Sequence, residues 1–258
     1  MSPQILTPTK FGSLFTMLKG EPGTRKSTAA LSYPAPQYWF AHDRKMDALL
    51  LPARKWGIDI SKTLEYDDYT DYDSMRIRLE AFETNCKYKT IVVDSLTSNG
   101  DSINRQVQKK KGATAYMIGG IPVDTIEDYK AEASAFREIM ALLNSIRKYH
   151  KIHVVVVAHV VGQRSSNDAN KLTHHSRVIV TGGDKISAKI SSYVDEAYHF
   201  NIRPGATESA PGEYTCITQH TGNDYARTTL ELPREITFND KPLYSGWIAP
   251  AIEKMKSV

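Results

Sequence analysis

The chain has very few cysteines and no long hydrophobic run, and each shortage excludes a class of protein. Among its 258 residues the only cysteines are Cys86 and Cys216, which lack the spacing of a metal site. We therefore expect free thiols in a reducing compartment, the cytoplasm, and no disulfide framework. No apolar stretch approaches the roughly 20 residues that span a bilayer. Residues 1–10 lack the apolar core of a signal peptide, so we expect no membrane association.

The overall composition is that of a globular protein. Hydrophobic residues make up 41% of the chain and charged residues 24%, which is ordinary for such a domain. The length suits one large domain, which we divide into a lead-in (1–12), a core (13–205), and a β-extension with a tail (206–258). The net charge of +4 is compatible with nucleic-acid binding, but an ordinary basic surface explains it equally well.

An apolar segment, a Gly/Pro loop and a Lys-Ser-Thr sequence follow one another near the start of the chain. This order predicts a strand, a phosphate-binding loop and a helix, whose unpaired N–H groups and dipole favour an anion. Lys26 is expected to reach the β- and γ-phosphates of a nucleotide, and Ser27 to ligate Mg²⁺. The predicted nucleotide-binding residues are Gly20, Glu21, Pro22, Gly23, Thr24, Arg25, Lys26, Ser27 and Thr28.

One position departs from the phosphate-loop pattern. The pattern has glycine before the lysine, and this chain has Arg25 there. The Arg25 side chain must therefore point out of the loop or place a positive charge beside the phosphates. We favour a working nucleotide site. The alternatives are a chance glycine-rich turn and a loop that binds nucleotide without hydrolysing it.

Two predicted strands lead to aspartates. The aromatic segment 36–41 is followed by Asp43, and the β-branched segment 89–93 ends at Asp94. Because the carboxyl ends of parallel strands form the ligand edge of an open α/β sheet, we expect Asp94 to hold Mg²⁺ together with Ser27. Asp43 is a candidate for activating a water molecule. The alternative for either aspartate is the N-cap of a following helix.

A histidine occupies the same kind of position after a third strand. Residues 152–158 form another buried segment, and His159 follows it. We predict that His159 senses the γ-phosphate or links it to the following loop, and a structural hydrogen bond is the alternative role. Residues 98–111 look helical, and apolar residues at helical spacing predict a long helix from 124 to about 149.

Basic residues near two predicted loops are candidate nucleic-acid contacts. The first loop, 112–122, follows three lysines and carries one tyrosine, and the second is a long polar segment over 160–185. A basic surface with an aromatic side chain suits a nucleic-acid backbone and a stacked base, but a solvated lysine face is an equally good interpretation. The DNA-binding candidates are Lys109, Lys110, Lys111, Tyr116, Arg164, Lys171 and Arg177.

The C-terminal part is predicted to extend one edge of the sheet. After a strand near 193–202, the segments 214–220 and 227–232 are predicted to pair antiparallel around a turn at 222–224. Residues 233–258 look like a short tail.

In their order, these motifs resemble the RecA/RadA-like ATPases encoded by bacteriophages, some of which are described as single-strand annealing proteins. The resemblance covers roughly 12–235. It rests on the phosphate loop, the strand leading to Asp43, residues 90–97, the helix opening at Asp128-Tyr129, Val157-Ala158-His159 and residues 193–196. It implies a RecA-type α/β core, a mainly parallel sheet flanked by helices, with a C-terminal antiparallel extension. The implied activity is hydrolysis of ATP with Mg²⁺, stimulated by single-stranded DNA.

The resemblance also implies an assembly. The chain would form a homo-oligomer, a ring or a filament, with ATP between subunits, and a single-strand DNA-binding protein is a further candidate partner. If phage-encoded, it would act in the host cytoplasm. The segments after Asp94 and His159 would face DNA, and Asp43 would lie near the family's catalytic acid. The basic residues that would reach a neighbour's γ-phosphate are Lys185, Lys189 and Arg227.

Three functions follow from these residues. The favoured one is an ATPase that binds single-stranded DNA in recombination, repair or replication. Arg25 motivates the second, a non-hydrolysing nucleotide-binding module that serves as a structural or loading partner of replication proteins. The third is a small-molecule P-loop kinase, although the segment after His159 has no obvious lid pattern.

Overall fold

A mixed but mainly parallel β-sheet forms the centre of the fold. The computed structural model describes residues 12–68, 71–164, 175–179, 190–205, 207, 212–221, 225–239 and 241–257. The strands in this part of the chain are β1 (Phe15–Gly20), β2 (Gln37–Ala41), β3 (Leu64–Asp67), β4 (Thr90–Asp94), β5 (Met117–Ile118), β6 (Ile121–Pro122), β7 (His153–Arg164), β8 (His175–Ile179), β9 (Glu196–Arg203), β10 (Glu213–Ile217) and β11 (Glu235–Thr237).

Helices connect most of the parallel strands. They are α1 (Lys26–Leu31), α2 (Leu50–Trp56), α3 (Ile60–Thr63), α4 (Tyr72–Thr84), α5 (Leu96–Lys111), α6 (Ile126–His150) and α7 (Ala249–Lys256). Short 3₁₀ segments cover Met46–Leu49, Gly112–Thr114 and Ser191–Tyr193, and a π-helical turn, Tyr244–Ile248, precedes α7.

The strand order places the carboxyl ends of β1, β2 and β4 at one edge, next to His159 in the middle of β7, since β7 does not end before His159 as predicted but continues to Arg164. The order is β11-β10-β9-β1-β7-β4-β2-β3, and all neighbours from β9 to β3 are parallel. At one side β10 and β11 continue the sheet antiparallel. Outside this path β8 pairs antiparallel with β7, and β5 with β6 forms a separate hairpin. The predicted α/β fold, a mainly parallel sheet with a C-terminal antiparallel part, is confirmed.

Apolar side chains cover both faces of the sheet. Along β1 successive side chains point to opposite faces. Phe15 and Met17 pack in the cluster under α4, α5 and α6, whereas Leu14 and Leu18 pack with α1, α2 and the C-terminal segment. Because both faces are buried, the inner strands are hydrophobic throughout rather than alternating, as residues 154–157 of β7 illustrate.

The predicted partner strand of β10 is wrong. Residues 227–232 do not pair with β10, whose partners are β9 and β11, and Arg227 forms only an isolated bridge with Ala197. The predicted turn at 222–224 lies outside the described residues. The backbone N–H of Thr229 instead donates to the carboxylate of Glu196, which is fully buried, at 2.7 Å. This segment therefore satisfies a buried charge and does not extend the sheet.

The C-terminal segment is not a tail. It contains β11, the π-helical turn and α7, and it buries Leu243, Ile248 and Ile252 in the core cluster on the α1 side of the sheet. The described residues therefore place this segment in the hydrophobic core.

Two predicted loops contain β-hairpins. The described part of the second polar segment forms a ribbon, since β7 runs to Arg164 and pairs antiparallel with β8. The backbones of Arg164, on β7, and Arg177, on β8, take part in the strand pairing of this ribbon. Lys171, Lys185 and Lys189 lie outside the described residues. In the first loop a 3₁₀ turn leads into the β5–β6 hairpin, whose turn residues Gly119 and Gly120 have positive φ values.

Candidate active site

The phosphate loop is held by close backbone packing and by its own hydrogen bonds. It joins β1 to α1, and it starts at Gly20, where a Cβ atom would lie 2.4 Å from the carbonyl oxygen of Phe200. Only glycine fits at such a close approach of two backbones. Inside the loop Gly23 has φ = +83°, and the Thr24 hydroxyl donates to the carbonyl oxygen of Glu21 at 2.8 Å.

Lys26 is a buried cation at the centre of this loop. Its Nζ atom donates to the carbonyl oxygens of Gly20 (2.9 Å) and Glu21 (2.7 Å), and the residue is only 4% exposed. Burial lowers the pKa of Lys26 to about 8, against the opposing effect of the nearby Asp94 and Asp43 carboxylates. An anionic ligand stabilises the charged form of a desolvated ammonium group, so the loop suits a phosphate group.

Arg25 points out of the loop. It adopts a left-handed conformation, φ = +62° and ψ = +29°, in which a residue with a side chain is disfavoured by roughly 1–2 kcal/mol. Its guanidinium carbon lies 3.7 Å from the centroid of the Tyr214 ring on β10. Such a cation–π contact stabilises by about 0.5–1 kcal/mol at exposed sites. The stacking therefore offsets a large part of the strain at a position where the motif has glycine.

Ser27 and Asp94 form the candidate metal site. The Ser27 side chain acts on the Asp94 carboxyl group, and Asp94 is 8% exposed. Burial and the negative charge of Asp43 raise the pKa of Asp94 to about 6, although the Ser27 hydroxyl opposes this. Hydroxyl and carboxylate oxygens are ligands that Mg²⁺ accepts while it keeps several water molecules. A desolvated carboxylate beside a second carboxylate gains from a cation, so this donor set fits Mg²⁺.

Asp43 lies directly beside this pair. β2 and β4 are adjacent with Ala41 opposite Asp94, and the backbone N–H of Asp43 donates to the carbonyl oxygen of Asp94 at 3.2 Å. The Asp43 carboxylate accepts hydrogen bonds from the hydroxyls of Ser95, at 2.9 Å, and of Ser98.

The hydrogen bonds of Asp43 decide its charge. Burial acts to raise the pKa of Asp43, but hydrogen bonds from His159, Ser98 and Ser95 outweigh it and hold the pKa well below its usual range. Asp43 is therefore ionised throughout the physiological pH range, and it can accept a hydrogen bond from a water molecule.

The N-cap alternative is wrong for both aspartates. The residue that precedes the 3₁₀ segment Met46–Leu49 is Lys45, and the N-cap of α5 is Ser95, whose hydroxyl accepts from the backbone N–H of Ser98. The carboxylates of Asp43 and Asp94 are thus available to the site.

His159 connects Asp43 to β7. It lies opposite Gly20 in the pairing of β1 with β7, and its Nε2 atom is 3.3 Å from a carboxylate oxygen of Asp43. Its backbone N–H donates to the hydroxyl of Thr97, at 3.1 Å. His159 therefore makes the structural hydrogen bonds of the alternative interpretation, but it makes one of them to the candidate catalytic carboxylate.

Sequence reasoning missed four site residues. Three are the hydroxyl residues Ser95, Thr97 and Ser98, which follow Asp94 and bond Asp43 or His159. Hydroxyl side chains at the start of a predicted helix next to a site aspartate are the signal that was present. The fourth is Tyr214, for which the sequence holds no local signal.

The DNA-binding candidates on α5 differ in their surroundings. Lys111 forms an ion pair with the fully buried carboxylate of Asp128, and Lys110 pairs with Asp73 at 2.8 Å. Lys109 is exposed and lines a cavity of about 560 Å³ beside the β5–β6 hairpin. Tyr116, at the start of that hairpin, is 58% exposed. The lysines are thus not equivalent, since Lys111 already balances a buried charge.

The structure brings the predicted catalytic residues together and leaves others apart. Lys26, Ser27, Asp43, Asp94 and His159 meet at the carboxyl ends of β1, β2 and β4, where His159 in the middle of β7 lies opposite Gly20. Arg227 lies on the other side of β1, where its backbone bridges β9, and its side chain is exposed. In the part of the chain that the structure describes, no cluster of three or more His, Cys, Asp or Glu side chains is placed to hold a metal ion.

No helix in the described ranges combines the length and the apolar character needed to cross a membrane.

A search of curated proteins found no match to this chain. A comparison with protein families matches residues 14–230 to the family described as AAA domain, whose members are P-loop ATPases and which suggests nucleotide binding and ATP hydrolysis. This match covers most of the chain and includes the loop, both aspartates and His159, and the chain therefore belongs to the AAA domain family.

Proposed function

We propose that this protein is an ATPase of the RecA/RadA-like kind, which binds single-stranded DNA and acts in DNA recombination, repair or replication. One observation carries the proposal. The Asp43 carboxylate is hydrogen-bonded by His159 of β7 and by Ser98 of α5. These two elements continue directly into the β7–β8 ribbon and towards the β5–β6 hairpin, which are the two segments proposed to face DNA.

This connection supports a dependence of hydrolysis on DNA. A shift of either element changes the hydrogen bonds that fix Asp43, because both elements bond the same carboxylate. DNA held by the two hairpins would therefore change the orientation of Asp43. Coupling of this kind requires an element with two arrangements that both ligands bias, and Asp43 with its donors is the proposed element.

The proposed chemistry uses each residue of the site in a separate role. Phosphoryl transfer depends mainly on positioning and on stabilising negative charge. Lys26 neutralises charge on the phosphates of ATP, and Ser27 with Asp94 holds Mg²⁺, which supplies further positive charge when bound. Asp43 accepts a hydrogen bond from the attacking water and orients it. His159 holds Asp43 in place and is the proposed link to the ribbon.

We also propose that the protein assembles into a homo-oligomer, a ring or a filament, with ATP between subunits. The exposed side chain of Arg227 supports a contact of this residue with the γ-phosphate in a neighbouring subunit, because a residue that acts across an interface must be accessible. A single-strand DNA-binding protein is a further proposed partner.

The test is ATP hydrolysis by the purified protein with and without single-stranded DNA. We expect DNA to stimulate hydrolysis and Lys26→Ala to abolish it, because the phosphates lose their buried positive charge. Lys130→Ala is the matched control, since Lys130 is an exposed lysine on α6 that pairs with Glu127. Unchanged turnover in Lys26→Ala would remove the site assignment. A lack of stimulation would remove the DNA-dependent part of the proposal.

The second candidate function is a nucleotide-binding module that does not hydrolyse ATP. The observation in its favour is Arg25, which replaces the glycine of the loop motif and adopts a strained conformation. ATP binding without hydrolysis, with or without DNA, would establish this function in place of the first.

A further inference from the structure

The contact between Arg25 and Tyr214 joins two parts of the chain that the proposed mechanism does not connect. Arg25 belongs to the phosphate loop, and Tyr214 lies on β10 in the antiparallel part of the sheet. The guanidinium carbon lies 3.7 Å from the ring centroid. Arg25 immediately precedes Lys26, so its backbone conformation fixes where α1 begins.

Tyr214 is a rigid partner for this contact. Its backbone N–H donates to the side-chain oxygen of Asn239 at 2.8 Å, and its carbonyl oxygen accepts from the N–H of Phe238 at 3.1 Å. On the other side it pairs with Ile202 of β9. The ring is half-buried against the core cluster on the α1 side of the sheet. The backbone of Tyr214 is thus held from both sides, and the ring presents a fixed surface to the loop.

We propose that Tyr214 is a positioning residue for the phosphate loop. Its ring holds the Arg25 guanidinium and thereby keeps residue 25 in the left-handed conformation from which Lys26 and Ser27 start α1. Arginine does not prefer this conformation, whereas glycine accepts it without strain. The stacking on Tyr214 therefore compensates for the backbone strain that the glycine of the motif would avoid. This inference rests on nucleotide binding by the loop, and it gives the antiparallel part of the sheet a role in that binding.

The inference differs from a direct action of Arg25 on the phosphates. If Arg25 acted through its charge on the nucleotide, the loss of the guanidinium would matter whatever replaced it. If Arg25 acts through the loop conformation, the replacement residue decides the outcome. Glycine accepts the left-handed conformation, whereas methionine keeps the strain and loses the stacking. The variants Arg25→Gly and Arg25→Met therefore separate the two interpretations.

The experiment measures the dissociation constant of ATP by calorimetry, without DNA, for single and double variants. We expect Tyr214→Leu and Arg25→Met each to weaken ATP binding about fivefold, the size of one cation–π contact. Tyr214→Phe keeps the ring and should stay within about twofold of the natural protein. Arg25→Gly should bind ATP more tightly than Arg25→Met, and adding Tyr214→Leu to Arg25→Gly should have no further effect. Tyr66→Leu, at an exposed tyrosine near the opposite edge of the sheet, is the control.

Two results would overturn the inference. One is a Tyr214→Leu variant that is folded and binds ATP as well as the natural protein. The other is an equal loss in Arg25→Gly and Arg25→Met, which would indicate a direct action on the phosphates.

A second measurement does not depend on nucleotide. In urea unfolding of the free protein, Arg25→Met and Tyr214→Phe or Tyr214→Leu form double-mutant cycles. We expect the Leu cycle to show coupling and the Phe cycle to show little, because phenylalanine keeps the stacking surface. Purely additive effects in the Leu cycle contradict the contact. If the natural protein does not bind ATP at all, the proposed function fails and the positioning role falls with it, whereas additive effects in the Leu cycle overturn the inference even when ATP binds.

Discussion

The backbone N–H of Asp43 donates a hydrogen bond to the carbonyl oxygen of Asp94, 3.2 Å away. This bond ties the end of β2 to the end of β4 and places two carboxylates side by side. Their pKa values move in opposite directions, since burial raises that of Asp94 to about 6, whereas three side-chain donors hold that of Asp43 well below its usual range. Carboxylates whose environments separate their pKa values in this way take different roles. Asp43 stays ionised and accepts hydrogen bonds, whereas a bound cation would stabilise the ionised form of Asp94.

Asp94→Asn is expected to stabilise the metal-free protein while it removes ATP hydrolysis. An unfolded aspartate titrates near 3.9, but Asp94 titrates at about 6 in the folded chain. The folded state therefore binds more protons between these pH values, and stability falls as the pH rises through them. At pH 7 the substitution should raise the free energy of unfolding by about 3 kcal/mol.

The pH dependence distinguishes this cause from a general effect of the substitution. At pH 5 Asp94 is mostly protonated in the folded protein. The increase in the free energy of unfolding caused by Asp94→Asn should therefore be smaller at pH 5 than at pH 7 by about 1 kcal/mol. Urea unfolding at both pH values checks this, with Asp47→Asn, at an exposed aspartate, as the control. A gain that is the same at both pH values would show that the charge of Asp94 is not its cause.

Mg²⁺ is expected to shift the pH dependence of ATP hydrolysis. The ion binds the ionised form of Asp94 and so competes with the proton. At low Mg²⁺ concentration the activity should fall below an apparent pKa near 6, because Asp94 becomes protonated. Raising the concentration should move this fall to lower pH, whereas Asp43, already ionised, adds no step in this range. Initial rates between pH 5 and 8 at several Mg²⁺ concentrations, at constant MgATP, test this. A fall that stays at one pH contradicts the role of Asp94.

The central part of the site could be predicted because parallel strands impose it. Apolar β-branched segments predicted β4 and β7, and residues that follow such strands meet at one edge of the sheet whatever the intervening helices contain. This is why Asp94 was found from its position in the sequence. His159 lies at the same level of the sheet, opposite Gly20, although β7 does not end there but continues to Arg164. Asp43 follows from the same rule, although its hydrogen bonds to α5 do not.

Contacts between distant segments could not be predicted. Nothing around Tyr214 indicates Arg25 as its partner, because a stacking contact across the sheet leaves no periodic trace in either segment. The C-terminal segment escaped recognition for a related reason. Its buried residues Leu243 and Ile248 are five apart across a π-helical turn, so they do not follow the spacing of an α-helix.

Leu243→Ala is expected to destabilise the protein strongly, in contrast to a change in a tail. Leu243 is fully buried in the core cluster on the α1 side of the sheet, and a leucine-to-alanine change in a core costs about 2–5 kcal/mol. Thermal and urea unfolding measure the effect. Leu51→Ala is the control, because Leu51 is 77% exposed. A change below about 0.5 kcal/mol in Leu243→Ala, the range of ordinary surface substitutions, would contradict the packing of this segment.

Tyr116→Ala is expected to weaken binding of single-stranded DNA if the β5–β6 hairpin contacts the bases. A base stacked on an aromatic side chain is worth about 1–3 kcal/mol, so the dissociation constant should rise between about fivefold and more than a hundredfold. Tyr149→Ala is the matched control, since Tyr149 is an exposed tyrosine at the end of α6. Fluorescence anisotropy with a labelled oligonucleotide measures both variants.

Lys109→Ala and Lys111→Ala should differ in the same assay, and their difference tests the arrangement of α5. Lys109 is exposed, so its loss should reduce the dependence of log K on log salt concentration by about 0.7 if it contacts a phosphate of a single strand. Lys111 pairs with the buried Asp128, and its loss leaves a buried charge unpaired. We therefore expect Lys111→Ala to lower the free energy of unfolding by about 3 kcal/mol or more and to change the salt dependence little. Equal salt dependence in Lys109→Ala and the natural protein would exclude a phosphate contact at this position.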